Sequence, residues 1–500
     1  MSTSSDSQQF KSTFRNIFWP IHNSELAKFI PISALMFCIL FNQNVLRILK
    51  DSILISEISA EITSFAKVYY VTPMAAIFVV IYAKLVNHLP FHKIFYYLSA
   101  VFTAFFVLFA FIIYPNVDSF HMDRENLSYL MAQYPHFKWY ISTVANWSYT
   151  LFYTFSELWP NIFYVLLFWQ IANEITTTNE AKRFYTLFSL FGNSSLVLVG
   201  FIMMNISSDD TILRKLFTIS DSKIILTQSS IAMVAISSAI SCILARYIAK
   251  NIMTDSALCK RYKEEKSTRP KMSLAESFKY VARSKYLWLM LICSASFGLT
   301  MNLIEAVWKS KIKELYPTVN SYAAFSSMYI LWTGVAIMIM TIIGNNVMRK
   351  SSWFVAAVIS PIIILSTGAL FFFLVVFDQS ILSFFDGMIL MSPLALAVLV
   401  GAIQNVLSKG AKYSIWDTSR EMLYIPLDRE LRTKGKAAVD IVSPKIGKAA
   451  SGLIQSMVFT VIPMATYQSI APALMIIFIG VCVLWIYAVR KIYFEYQKLL

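Results

Sequence analysis

Asn146, Thr150, Tyr153, Glu157, Asn161, Tyr164 and Phe168 recur at intervals of three and four residues in an otherwise apolar stretch. That spacing places side chains on one face of an α-helix, so a polar and aromatic stripe is expected along its whole length. Glu157 stands near the middle of the stripe, where an ionisable group costs at least a few kcal/mol and marks a polar cavity or a transport path. Two further apolar stretches carry charges at helical spacing: Gln43, Arg47 and Lys50 in one, Asn302, Glu305 and Lys309 in the other. Lys448 stands beside Gly447 at the start of a third. The cations Arg47, Lys50, Lys309 and Lys448, set among few carboxylates, describe a cavity for a polyanion. Guanidinium offers paired donors and ammonium a mobile point charge, the combination that recognises phosphate. Tyr153, Tyr164 and Phe168 would add a stacking surface for a base. The competing uses are helix packing for the aromatic and amide residues and snorkelling to the headgroups for the cations.

The elements that hold these residues follow from composition. The chain has 500 residues, 57% of them hydrophobic and only 14% charged, with a mean hydropathy of +0.60. A soluble domain carries about 25% charged residues, so this is an all-α polytopic membrane protein. Apolar windows of roughly 20 residues fall at 29–48, 66–86, 94–114, 143–172, 184–205, 225–248, 286–306, 322–347, 353–376, 381–405, 446–467 and 470–489, about twelve transmembrane helices. Pro160 is a candidate kink in the fourth.

With the N-terminus inside, about 32 of the 43 basic residues lie on the cytoplasmic side, as the positive-inside rule requires, and the C-terminus is inside too. The same rule accounts for the net charge of +15 without nucleic acid as a partner. The basic segment 249–284 is expected to be a cytoplasmic central loop between two six-helix halves, 1–248 and 285–500. A weak internal repeat supports this division. Asn44-Val-Leu-Arg47 mirrors Asn302-Leu-Ile-Glu305, and Gly192-Asn193-Ser-Ser mirrors Gly447-Lys448-Ala-Ala. Two parallel halves joined by a basic loop is the major-facilitator layout, with substrate bound between the halves near the midplane.

Other chemistries lack their motifs. No G-x-x-x-x-G-K-[ST] loop is present, since Lys445-Ile-Gly-Lys448 lacks the earlier glycine, so hydrolysis of ATP does not drive the protein. HExxH and GxSxG are missing as well, and His22, His88, His92, His121 and His136 all fall in expected loops or tails. The five cysteines show no CxxC spacing, and neither a cofactor nor a metal is expected. The Ser-rich N-terminus has no cleavable signal and is short for a transit peptide, pointing to a bacterial inner membrane.

Five motifs, in order, resemble one family: Phe155-Ser-Glu157-Leu-Trp159, Asn302-Leu-Ile-Glu305-Ala-Val-Trp308-Lys309-Ser-Lys311, Gln404-Asn-Val-Leu-Ser-Lys409-Gly-Ala-Lys412-Tyr-Ser414, Tyr424-Ile-Pro-Leu-Asp428 and Lys434-Gly-Lys436-Ala-Ala. They are similar to the ATP/ADP translocases of plastids and obligate intracellular bacteria. The resemblance runs from Trp19-Pro20 to the C-terminal tail. It implies alternating-access import of host ATP, or another nucleoside triphosphate such as GTP, in exchange for ADP, and places Lys50, Glu157, Glu305 and Lys448 at positions important for transport. Bacterial members also carry GTP, CTP, UTP or NAD. Pro160 after Glu-Leu-Trp, Ala-Ala-Ser-Gly after Lys448, and Ser419-Arg420-Glu-Met-Leu depart from the commonest pattern and leave the base open.

The resulting expectation is a nucleotide antiporter, active as a monomer, rather than an enzyme. Arg47, Lys50, Lys309 and Lys448 would bind phosphates, and Tyr153, Glu157, Asn161, Tyr164, Asn193, Asn302 and Glu305 would supply base, ribose and gating contacts. Partners are nucleotides and membrane lipid, with phosphate or protons as open co-substrates. The alternatives are proton-coupled net import, with Glu157 or Glu305 carrying the proton, and a membrane scaffold or enzyme that transports nothing.

Overall fold

The computed structural model describes residues 21–176, 178–208, 221–253, 284–377, 391–427, 439 and 443–499. The described residues form helices and turns without a strand, as hydrocarbon demands of backbone groups that have no water to bond. Ten of these helices are long and apolar enough to cross a membrane. Two of the expected spans fall outside the ten. The fourth is a helical run over 147–175 that carries the polar stripe, and the eleventh, Ser443–Val461, begins with Ser, Lys and Gly.

Small polar caps set several starts. Ser284, Ser352 and Ser392 each accept a hydrogen bond from the backbone three residues on, opening the seventh, ninth and tenth helices. Most helices outrun their apolar windows: the first is Leu26–Glu57 and the seventh Lys285–Leu315. Arg47, Lys50 and Glu305 therefore lie two turns or more inside a helix rather than at its mouth. The tenth window, 381–405, needs the largest correction. Ser392 and Pro393 start that helix and it runs on to Met422, while 381–390 lie outside the described residues. Ser408–Ser414 is too polar for a hydropathy window, which hid a continuation that packing sustains. Lys409 and Lys412, which fall beyond the expected window of 381–405, are thus helical. Of the central loop, 254–283 lie outside the described residues, as does Lys434-Gly-Lys436.

The fourth and tenth helices each widen into a π-helical stretch, Pro160–Phe168 and Lys412–Trp416. Proline lacks the N–H that a regular α-turn would use, and π-turns concentrate at functional positions. The first helix packs on the fourth, the fifth (Thr178–Ser207) and the sixth (Ser222–Asn251), and the seventh packs on the tenth, the eleventh and the twelfth (Tyr467–Leu499).

The fifth helix (Thr178–Ser207) crosses the eighth (Val319–Lys350) through reciprocal glycines. A Cβ on Gly200 would stand 2.7 Å from the Ser327 carbonyl oxygen and 2.8 Å from the Leu331 nitrogen, and one on Gly334 would stand 2.9 Å from Leu196 Cβ. Close approach through small residues is how membrane helices gain contact without a hydrophobic drive. Gly200→Leu is therefore expected to destabilise the protein by about 1–3 kcal/mol, read as a lower thermal midpoint in detergent. Gly480→Leu is expected to leave that midpoint unchanged, because nothing lies within 4 Å of a Cβ there.

Candidate functional site

The first helix delivers two cations and a carboxylate to the bundle interior. Lys50 Nζ lies 2.8 Å from Asp51 Oδ1 and 2.8 Å from Glu157 Oε1 of the fourth helix. It also sits 4.5 Å above the ring centre of Tyr153. The second oxygen of Asp51 accepts from Lys309 Nζ of the seventh helix at 2.8 Å. One chain of charges thereby links the first, fourth and seventh helices.

A second chain runs beside it. Arg47 Nη2 is 3.6 Å from Glu305 Oε1, and Lys409 Nζ of the tenth helix is 3.1 Å from the same oxygen. Lys409 also donates to the Tyr329 hydroxyl. Lys67 of the second helix, Ile62–Tyr82, donates to Asn302 Oδ1 at 3.0 Å. Lys448 makes no ion pair or hydrogen bond among the described residues, yet lies within electrostatic reach of Glu157. A charge moved from water into a protein interior costs several kcal/mol unless paired, and these pairs offset that cost.

Exposure grades the cluster. The Lys50 side chain is 6% exposed, whereas Glu157 is 30% and Arg47 31% exposed. An incoming anion therefore meets Arg47 before Lys50.

Of the residues expected from sequence, Arg47, Lys50, Lys309, Glu157, Glu305, Asn302 and Tyr153 meet in this cluster. Tyr153 is fully buried and its hydroxyl has no hydrogen-bond partner, so its visible contact is the cation above its ring. Asn161 turns back to donate to the Glu157 carbonyl at 3.0 Å, bracing the helix below the carboxylate. Asn193 bonds Ser189 Oγ at 3.2 Å, one turn away on its own helix, and does not join the charges.

The stripe on the fourth helix does not run its whole length. The helix breaks at Asn146, where φ is −106° and ψ 45°. Beyond Glu157, the π-helical winding rotates Tyr164 and Phe168 out of register. Tyr164 stacks on Phe168, with ring centres 6.4 Å apart, and faces a separate group in which Asp417 holds Lys412 at 2.8 Å and Arg420 at 3.4 Å.

Asp51, Lys67, Lys409 and Tyr329 belong to the cluster but were not among the expected site residues. Lys67 carried a signal, being a cation in the first turn of an apolar window, as Lys448 is. Asp51 was masked by its neighbour Lys50, and Lys409 by its place beyond the tenth apolar window. Tyr329 carries no signal, since tyrosines in apolar helices are common.

A likeness to solved structures bears on the fold alone. A bacterial homologue of the iron transporter ferroportin superposes with a TM-score of 0.59 at 10% identity, covering 94% of this chain and 99% of that one. The xylose transporter XylE from E. coli gives 0.52 at 11% identity, covering 93% and 95%. Both share the helical architecture of this chain over nearly its whole length. The family described as TLC ATP/ADP transporter matches residues 4–496. ADP,ATP carrier protein 5 of Rickettsia felis is 69% identical over 99% of both chains, and its counterpart in Rickettsia prowazekii is 68% identical over 100% of both. ADP,ATP carrier protein 1 of Rickettsia bellii is 40% identical, covering 99% of this chain and 98% of its own. With one family spanning the sequence and carriers this similar along its full length, the chain belongs to the TLC ATP/ADP transporter family.

Proposed function

We propose that this protein exchanges an external nucleoside triphosphate for an internal nucleotide across a bacterial inner membrane, by alternating access between two six-helix halves, 1–248 and 285–500. The observation that carries the reading is the charge of the site. Arg47, Lys50, Lys67, Lys309, Lys409 and Lys448 face Asp51, Glu157 and Glu305, and six cations against three carboxylates leave three positive charges. A nucleoside di- or triphosphate brings matching negative charge, and Arg and Lys are the donors its oxygens need.

The surplus also gives a reason for exchange. Closing the site empty would strand three uncompensated cations in a medium where charge is costly; closing it on a nucleotide neutralises them. The carrier therefore returns loaded. In this reading Arg47, Lys50, Lys309 and Lys448 bind phosphates, with Lys67 and Lys409 beside them. Tyr153, Asn161, Tyr164, Asn193 and Asn302 contribute base, ribose or structural contacts, while Glu157 and Glu305 hold the cations apart until the cargo displaces them. The names of the Rickettsia relatives support ATP and ADP as the pair. The first helix packs on the same three partners as the seventh, six helices later, which supports the two halves; basic residue placement supports both termini inside and 249–284 as a cytoplasmic loop. One chain contains the whole cluster, so a monomer suffices.

Bacteria expressing the chain should take up radiolabelled nucleoside triphosphate and release it rapidly when chased with unlabelled nucleotide outside. Supplying ATP, GTP, CTP and UTP in parallel ranks the bases. Label that resists the chase and is lost on collapsing the proton gradient would replace exchange by proton-coupled import. No uptake of any of the four, with the protein in the membrane, would overturn the reading.

A further inference from the structure

A second basic site lies away from the nucleotide cluster, on the membrane-facing side of the bundle. Between the start of the third helix (Phe91–Phe120) and the end of the sixth (Ser222–Asn251) is a cavity of about 520 Å³ lined by His92, Lys93, Tyr96, Tyr97, Arg246 and Lys250. It is within the size range of small-ligand sites. Lys93 and Arg246 pair with no carboxylate among the described residues. The Tyr96 hydroxyl is buried without a hydrogen-bond partner and lies within electrostatic reach of Arg246. The imidazole of His92 packs beside the Tyr96 ring at 6.0 Å. Two positive charges lining one cavity, with no carboxylate paired to either among the described residues, are what a phosphate group requires.

The surroundings of the cavity identify which phosphate. From Lys93, Tyr97 and Val101 continue up the third helix at four-residue spacing; from Lys250, Tyr247, Ile243 and Ile240 continue up the sixth at spacings of three and four. Tyr97 and Val101 are 59% and 58% exposed, and Ile243 is 68% exposed. Cations at the end of the helices thus give way to open apolar stripes running toward the membrane interior. A free phosphate or nucleotide has no use for such stripes, whereas acyl chains attached to a headgroup do.

We propose that this cavity binds the headgroup phosphate of an anionic phospholipid, whose acyl chains lie along the exposed faces of the third and sixth helices. Basic pockets between membrane helices bind anionic headgroups in this way. With the termini inside, the site faces the cytoplasmic leaflet.

The test is native mass spectrometry of the full chain released from micelles containing equal phosphatidylglycerol and phosphatidylethanolamine. The wild type is expected to retain phosphatidylglycerol in preference. Lys93→Ala with Arg246→Ala is expected to reduce that retention about ten-fold or more, at roughly the strength basic residues contribute near an anionic surface. Arg490→Ala with Lys491→Ala removes the same charge from exposed positions near the same end of the bundle and is expected to retain the lipid. Equal loss in both double variants would show diffuse surface charge and overturn the proposal. Retention without headgroup preference would overturn it as well. Displacement of the lipid by excess inorganic phosphate would assign the cavity to a free phosphate and overturn the lipid reading.

Discussion

Lys50→Ala is expected to lower nucleotide uptake by about two to three orders of magnitude at unchanged membrane abundance. Among the described residues, Lys50 is the one cation of the cluster shared by two carboxylates, Asp51 and Glu157, each at 2.8 Å. Removing one partner of a buried ion pair costs about 3–5 kcal/mol, because the other charge is left uncompensated. At roughly 1.4 kcal/mol per factor of ten, that is the loss expected if the whole penalty falls on the loaded state. Asp51 keeps Lys309, so the damage concentrates on Glu157, which then presents a bare carboxylate to an incoming phosphate. The site also loses one of its three surplus charges. Glu157→Ala is expected to abolish uptake for the complementary reason: Lys50 is held by Asp51 alone and no longer spans to the fourth helix. Uptake measured against immunoblotted membrane protein checks both. A second reading separates binding from folding. ATP should raise the thermal midpoint of the purified wild type, as any ligand of the native state does, and should not raise that of Lys50→Ala. Normal uptake by both variants would remove this cluster from the transport path.

Much of the arrangement was legible because membranes make charge conspicuous. Arg47, Lys50, Glu157, Glu305 and Lys309 stood out from apolar windows, and helical spacing alone assigned them to three helices. What spacing could not supply was pairing. Asp51 is the hinge of one charge chain, bridging Lys50 and Lys309, but a carboxylate beside a lysine gives no sign of a partner some 260 positions away. The stripe on the fourth helix failed where a regular period was extrapolated through Pro160, since a π-helical stretch turns by a different angle per residue. The tenth helix failed for the opposite reason. Its polar half reads as a loop when hydropathy is the criterion, although Lys409 is helical because Glu305 and Tyr329 receive it.

The other large effect is expected at the end of the bundle where the first helix finishes and the twelfth begins. Lys313 Nζ donates to the Ile58 carbonyl at 2.8 Å, and Glu61 Oε1 accepts the Tyr467 N–H at 3.2 Å, at the N-terminus of the twelfth helix. Asn320 bonds Ser222, and a ring nitrogen of His136 lies 2.8 Å from the Thr460 carbonyl oxygen. Each of these joins the first six helices to the last six. Together these contacts tie the two sets of six helices at this end, beyond the charged cluster. Alternating access requires these bonds to break. Two of them involve a charged group, Lys313 and the Glu61 carboxylate, the latter favoured further by the helix dipole. Bonds to charged groups contribute about 1.5–3 kcal/mol each and neutral ones about 1; Lys313→Met removes its bond and Glu61→Gln leaves a neutral one, so the double variant should shift the balance toward the opened form by about a hundred-fold. Ala60, between the two contacts and 2% exposed, reports the shift. A cysteine placed there should react with a membrane-impermeant maleimide far faster in the double variant than in an otherwise unaltered chain. Lys223→Met, which breaks the 2.9 Å pair with Glu57 at the same end but within the first six helices, should leave the rate unchanged. A rate that Glu61→Gln with Lys313→Met does not move would mean that the glycine-lined crossing of the fifth and eighth helices, rather than these polar contacts, holds this end closed.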